Sequence, residues 1–188
     1  FDTRFLSRWV LTVDGQRLNT LSVGDLQYFE TRFFLVPGRG TVYVDAKLSV
    51  IRRRAVRDGF HEWLKILNHD DKPVELTARI EAGSDFADLF EVKDALKKKG
   101  RYSSRVEDGR LLLAYERQAY RRSTVISATA GARIDEEGLT FDVRLQPHGE
   151  WTTEIDVTAT LPPVRRRGGR PSPTGKRRRE DMESNLRR

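Results

Sequence analysis

The chain has 188 residues, of which 37% are hydrophobic and none is cysteine, with a formal net charge of +7. This length supports one core without covalent staples, and the lack of cysteine excludes disulfides, thiolate metal ligands and a cysteine nucleophile. Apolar runs are only a few residues long, which excludes a transmembrane helix, and the start lacks a signal-peptide pattern. We therefore expect a cytoplasmic protein with no membrane partner. Because the chain begins at Phe1 rather than Met, we also expect a missing upstream segment.

Turn signals divide the chain before the tail into short strands. Asp14-Gly15 favours a two-residue hairpin turn, and the polar segment His69–Pro73 and the triplet Pro147-His148-Gly149 also read as turns. The predicted hairpins join Phe5–Val13 to Gln16–Leu21, His61–Asn68 to Val74–Glu81, and Leu139–Leu145 to Glu150–Leu161. Further strands are predicted at Leu26–Val36, Thr41–Val56, Leu111–Arg121 and Thr124–Ala130.

One segment between Ser84 and Lys99 reads as a short helix or ordered crossover. Ser84 or Asp85 is the predicted N-cap, with Asp88 in the first turn. The apolar residues at helical spacing are Phe86, Leu89 and Phe90.

The carboxylates of this segment, Asp85, Asp88 and Glu91, are spaced by three and would share one helical face. Calcium binds such oxygens, but the flanking residues of a calcium loop are absent. A helix N-terminus that attracts acidic side chains is the favoured interpretation, so no metal site is predicted.

Period-two alternation is strongest in the last predicted strand. From Glu150 to Leu161 the odd positions carry mainly apolar side chains and the even positions carry polar ones, which is typical of a strand with one wet face. About nine or ten such strands fit into the first 164 residues. The pattern predicts an all-β fold, a large antiparallel β-sandwich of two sheets with one short helix or crossover.

The positive charge is concentrated in the tail. Residues 165–188 hold ten basic and three acidic side chains, which equals the whole excess of +7 and leaves residues 1–164 formally neutral. The tail is rich in Arg, Pro and Gly and is predicted to be disordered. We expect a sandwich domain at 1–163 and a linker or tail at 164–188. A solvated linker is favoured over a nucleic-acid arm, since no aromatic residue interleaves the basic triplets. The candidate polyanion-binding residues are Arg165, Arg166, Arg167, Arg177, Arg178 and Arg179.

Motifs for catalysis or cofactor binding are scarce. The histidines, His61, His69 and His148, have no metal-ligand spacing and read as surface residues of turns and of a strand start. The sequence contains no phosphate-binding glycine loop, dinucleotide motif or serine nucleophile elbow, so no cofactor is predicted.

The three tryptophans are candidate sugar platforms, because sugar rings stack on exposed aromatic side chains. Trp9 and Trp151 each share a strand face with apolar residues and are predicted to lie in the core. Trp63 is less settled, and although the core is favoured for it too, it is the one candidate carbohydrate-binding residue.

Several segments together resemble a known family. The most specific of them is Asp85-Phe86-Ala87-Asp88-Leu89-Phe90-Glu91-Val92. The others are Asp2–Trp9, Arg32–Leu35, Gly59–Glu62, Leu67-Asn68 and Pro73–Leu76. In this order they resemble the N-terminal domain of bacterial glycogen-debranching-enzyme-like proteins of the amylo-alpha-1,6-glucosidase family, over most of residues 1–160.

The resemblance implies a β-sandwich that precedes an α/α-barrel, and the barrel carries the general acid and base. It implies a non-catalytic domain that packs on a glucosidase barrel absent from this chain and reaches an α-glucan substrate through it. No catalytic residue is transferred to this chain. Two alternatives stay open: a stand-alone carbohydrate-binding or protein-interaction sandwich, and a nucleic-acid-associated protein that acts through its tail. The neutral body argues against the second.

Overall fold

A computed structural model describes residues 3–37, 47–96, 98–129 and 131–160. These residues form twelve β-strands and one short α-helix, so the fold is all-β. The predicted tail, 164–188, lies outside the described residues, and so do its six candidate arginines. The strands are β1 Arg8–Val13, β2 Gln16–Gln27, β3 Glu30–Pro37, β4 Leu48–Val56, β5 Phe60–Asn68, β6 Val74–Gly83, β7 Arg101–Glu107, β8 Arg110–Arg117, β9 Tyr120–Ala128, β10 Arg133–Asp135, β11 Gly138–Leu145 and β12 Glu150–Thr160, and the helix is α1 Leu89–Lys93.

The strands form one continuous antiparallel order, β10-β11-β6-β1-β2-β3-β4-β5-β12-β9-β8-β7. The order folds over at the β1–β2 junction, where only Thr12 and Val13 pair with Arg17 and Gln16. A four-stranded layer, β10-β11-β6-β1, thereby packs on an eight-stranded layer that runs from β2 to β7. The predicted antiparallel sandwich is confirmed, with more strands than expected.

The core lies between the two layers and follows the predicted alternation. In β12, Ile155 and Val157 are buried while Glu154 and Asp156 are exposed. Rings from opposite layers meet in the core: the centroids of Trp9 and Phe60 are 5.6 Å apart, and those of Phe141 and Trp151 are 5.2 Å apart. Trp9 and Trp151 pack against the core as predicted.

Two of the three predicted hairpins are wrong in their pairing. β5 pairs with β4 and β12, whereas β6 pairs with β1 and β11. Likewise β11 lies in the four-stranded layer and β12 in the eight-stranded layer. The turns exist, but each carries the chain from one layer to the other, because both flanking strands bury an apolar face and these faces pack on each other.

Several predicted strand limits also differ. The predicted strand Leu111–Arg121 is two strands with a turn at 118–119, where Gln118 has φ +54°. β2 runs on from Gln16 to Gln27, past the predicted end at Leu21, and its pairing with β3 is irregular between Thr20 and Ser22 and between Asp25 and Gln27. Two strands, β7 and β10, were not predicted. The first part of the predicted strand Thr41–Val56 lies outside the described residues, and β4 begins at Leu48.

No helix in the described ranges is both long and apolar enough to cross a membrane.

Candidate functional site

The segment that crosses from β6 to β7 exposes several large apolar side chains. We call residues 84–96 the crossover segment. It begins with a tight turn in which the Phe86 N–H donates to Ser84 Oγ (3.4 Å) and the Ala87 N–H donates to Asp85 Oδ1 (3.2 Å). Phe86 has φ +49° and its side chain is only 1% exposed. The left-handed turn therefore drives one aromatic ring into the core as an anchor.

Charged side chains hold the same turn from outside. Arg4 Nε donates to Asp85 Oδ1 (3.0 Å), and a terminal guanidinium nitrogen of Arg4 bonds the second carboxylate oxygen. Burial acts to raise the pKa of Asp85, but the hydrogen bonds from Arg4 and from the Ala87 N–H together outweigh it. The pKa of Asp85 therefore lies below its ordinary value, and its charged form is favoured in the folded chain.

The helix that follows is closed by a capping box. The Glu91 N–H donates to Asp88 Oδ1 (2.9 Å), and the Asp88 N–H donates to Glu91 Oε2 (2.9 Å). Lys98 Nζ also donates to Glu91 Oε2 (2.8 Å). The N-cap is thus Asp88, not Ser84 or Asp85, and Phe86 precedes the helix, because its ring is held in the core by the preceding turn.

The three carboxylates of this segment are engaged by protein groups: Arg4 and the Ala87 N–H for Asp85, the Glu91 N–H for Asp88, and Lys98 and the Asp88 N–H for Glu91. Within the described ranges no group of three or more acidic or histidine side chains is arranged to hold a metal ion.

Apolar side chains of the crossover segment point outward. Phe90 is 66% exposed and Leu96 is 60% exposed, and Leu89 and Val92 are also exposed. We call these four side chains the apolar crossover surface. A segment fixed by a buried ring, a capping box and an ion pair has a defined shape, so its apolar side chains form a preformed surface for another apolar surface. The helical spacing in the sequence predicted that Leu89 and Phe90 belong to this segment. It did not predict that their side chains are exposed.

The candidate sugar-binding residue Trp63 lies on the outer face of the eight-stranded layer and is half-buried. The Arg53 guanidinium carbon lies 4.7 Å from the centre of its ring. Glu30 fixes this arginine by accepting two hydrogen bonds from it. A sugar ring that stacked on this side of Trp63 would have to displace Arg53. The carbohydrate-binding role of Trp63 stays a prediction.

The histidines lie apart, and each contacts a different partner. His61 Nδ1 is 2.5 Å from Asp156 Oδ1, His148 Nε2 is 2.9 Å from Asp71 Oδ1, and His69 Nε2 is 2.7 Å from Ser49 Oγ.

An ionic cluster inside the sandwich was not predicted. Glu62 on β5 has a side chain that is 0% exposed and accepts bonds from Arg52, Arg54 and Trp9. Burial lowers the pKa of Arg52, and the charge of Arg54 adds to this effect, while Glu62 acts against both. The signal was present in the sequence, because Glu62 shares its strand face with the buried Leu64 and Ile66.

Comparison with known proteins gives one family. A family model for the N-terminal domain of some glycogen debranching enzymes matches residues 1–156. No curated protein matches the chain significantly.

Two solved structures are similar in part. One is assigned as a kojibiose phosphorylase from the human microbiome, with a TM-score of 0.49 and 12% identity over 84% of this chain and 20% of that one. The other is a polysaccharide lyase, with a TM-score of 0.43 and 14% identity over 77% of this chain and 26% of that one. The chain therefore spans about a fifth to a quarter of the length of these structures.

Proposed function

Because the chain belongs to the family of N-terminal domains of glycogen debranching enzymes, we propose that it is a non-catalytic domain that packs on a glucosidase catalytic domain. In this proposal residues 1–163 are the packing domain and residues 164–188 are a linker or tail. The α-glucan substrate belongs to the catalytic domain, and the domain described here shapes or supports the substrate cleft.

One observation carries the proposal: the apolar crossover surface is exposed on a segment that the core holds in place. Phe90 is more than half exposed, yet the turn three residues before it is fixed by the buried Phe86. Leaving large apolar side chains in water gives no stability to the isolated domain, whereas burying them against a second domain does. The surface lies beside the described start of β7, where Tyr102 is also exposed and donates from its hydroxyl to the Asp85 carbonyl (3.1 Å).

Acidic side chains on the sheet faces support the non-catalytic part of the proposal. Glycoside hydrolysis needs two carboxyl groups on opposite sides of one bond, one of them with a raised pKa. Asp156 is paired with His61 and Glu150 with Lys65 on an open outer face. Each of these carboxylates is held in an ion pair on an exposed sheet face rather than in an enclosed cleft.

A cytoplasmic location in a bacterium is part of the same proposal. It is supported by the sequence resemblance to bacterial debranching-enzyme-like proteins.

Titration calorimetry against the glucosidase domain of a debranching enzyme, prepared without its own N-terminal domain, tests the proposal. The chain should bind, and Phe90→Glu should weaken binding by about tenfold or more, because a charge would be buried in an apolar interface. Val106→Glu is the matched control, since Val106 is an exposed apolar residue of β7 away from the apolar crossover surface. Absence of binding, or equal weakening by both variants, would contradict the proposal.

A further inference from the structure

The ionic cluster around Glu62 contains more positive than negative charge. Arg52 donates from Nε to Glu62 Oε1 (2.8 Å) and from a terminal nitrogen to Oε2 (3.0 Å). Arg54 Nε and Trp9 Nε1 also donate to Oε2, at 2.7 and 2.9 Å. Four donors occupy the acceptor positions of one carboxylate. The single negative charge of Glu62 is therefore shared by the guanidinium groups of Arg52 and Arg54.

Arg54 faces a cavity of about 510 Å³ between β3 and the β4–β5 turn. We call it the Arg54 cavity, and the lining residues used here are Phe29, Phe33, Phe60, Val56, Glu30 and Arg54. The Arg54 guanidinium carbon lies 5.1 Å from the Phe33 ring centre and 5.8 Å from that of Phe60. The guanidinium is thus held between aromatic rings, with its side chain 26% exposed.

Among the side chains that the structure describes, none accepts a hydrogen bond from the terminal nitrogens of Arg54. Only its Nε bonds Glu62 among the described residues, and a guanidinium group carries four further N–H donors on its two terminal nitrogens. These donors form a planar fork that matches a carboxylate.

Glu30, the carboxylate that lines the cavity, does not neutralise the charge of Arg54. Glu30 accepts two hydrogen bonds from Arg53, and this pairing lowers the pKa of Glu30. Arg57 adds another positive charge, because its guanidinium carbon lies 4.5 Å from the Phe29 ring centre. Of these arginines only Arg54 lines the cavity, and it shares the single carboxylate of Glu62 with Arg52, so this pair carries one positive charge more than its carboxylate balances.

We propose that the Arg54 cavity binds a small organic carboxylate, whose anionic group bonds the Arg54 fork and whose apolar or flat body lies against Phe29, Phe33 and Phe60. The excess positive charge selects an anion over a neutral ligand, and the aromatic lining selects an organic anion over an inorganic one. The site is separate from the apolar crossover surface, so it does not depend on the packing proposed above.

Titration calorimetry with phenylacetate, and with phenylacetamide as its neutral analogue, tests the site on the full chain. Phenylacetate should bind with a dissociation constant of about 1 mM, as expected for a ligand of this size. Phenylacetamide should bind at least tenfold more weakly. Equal affinity for the two compounds, or no saturable binding of phenylacetate at several times that concentration, would overturn the proposal.

Two variants locate the binding. Arg54→Met removes the fork and should weaken phenylacetate binding at least tenfold, and Val56→Trp should do the same by filling the mouth of the cavity without touching the ionic cluster. Val56 is 62% exposed, so this variant keeps the test valid if Arg54→Met does not fold. Arg101→Met, which removes an exposed arginine on β7, is the control and should bind as the wild type does. Unchanged binding in Val56→Trp, or an equal loss in Arg101→Met, would refute the assignment.

Discussion

The ionic cluster makes one residue, Glu62, critical for stability. Replacing Glu62 by Gln keeps the shape of the side chain but removes the negative charge between Arg52 and Arg54. The side chain of Arg52 is only 8% exposed, so water cannot replace the lost partner. The amide also presents N–H donors to groups that are themselves donors.

The expected loss follows from the burial of the cluster. Removing one partner of a buried ion pair costs about 3–5 kcal/mol, because the other charge is left buried without compensation. For a chain of this length each kcal/mol lowers the melting temperature by about 2–4 °C, so Glu62→Gln should lower it by about 6–20 °C.

Thermal unfolding followed by circular dichroism at neutral pH measures this difference. Glu116→Gln is the matched control, because Glu116 also bonds two arginines, Arg101 and Arg121, but lies on the outer surface. Its melting temperature should change little, since exposed ion pairs contribute little. A Glu62→Gln melting temperature within about 2 °C of the wild type would show that the cluster is not needed for stability and would refute the reasoning.

Four further outcomes are expected. Asp88→Ala removes the N-cap of α1 and should cost about 1 kcal/mol in urea unfolding, whereas no loss would show that the crossover segment does not depend on its cap. Folding lowers the pKa of Asp85, so the charged Asp85 stabilises the fold above its unfolded pKa of 3.8, and this stabilisation is lost as the pH falls below that value. Asp85→Asn should therefore make the melting temperature fall less between neutral and acid pH than it does in the wild type. An equal fall in both proteins would contradict this. Incubation of the chain with limit dextrin should release no glucose, and sustained release abolished by changing one of its own carboxylates would overturn the non-catalytic assignment. Binding to heparin at low salt should be lost on truncation after Pro163 and should fall steeply with salt, whereas equal retention of both forms would reveal a basic face on residues 1–163.

Local features of the fold were readable from the sequence. Asp14-Gly15 adopts positive φ at both positions, as its dipeptide predicts for a hairpin turn. Asp108-Gly109 does the same between β7 and β8, and this signal could have revealed β7, one of the two strands that the sequence analysis does not predict. The alternation in β12 correctly gave its buried and exposed faces, because side chains alternate along any strand whatever its partners.

Partner choice was not readable in this way. The sequences around His69–Pro73 and Pro147–Gly149 correctly predict turns. The sequence of a turn is the same, however, whether the next strand pairs in the same layer or packs face to face in the other layer. The register of β6 with β1 and β11 depends on contacts between residues far apart in the chain. The resemblance identified the family, but no local pattern gave the layer of each strand.

For the crossover segment and for the ionic cluster around Glu62, too, the sequence determined one part and the tertiary structure decided the rest. The sequence by itself determined that residues 84–96 hold an acidic and apolar segment able to begin a helix, and it places Glu62 on the same strand face as Leu64 and Ile66. Only the tertiary structure decided that Phe86 is buried while Phe90 is exposed, since this depends on the left-handed turn and on contacts of the Phe86 ring with Phe5 and Tyr115, which are distant in the sequence. It also decided that Arg52 and Arg54 share one carboxylate, because charge balance inside a core is set by cross-strand neighbours, and these arise only when β4 pairs with β5.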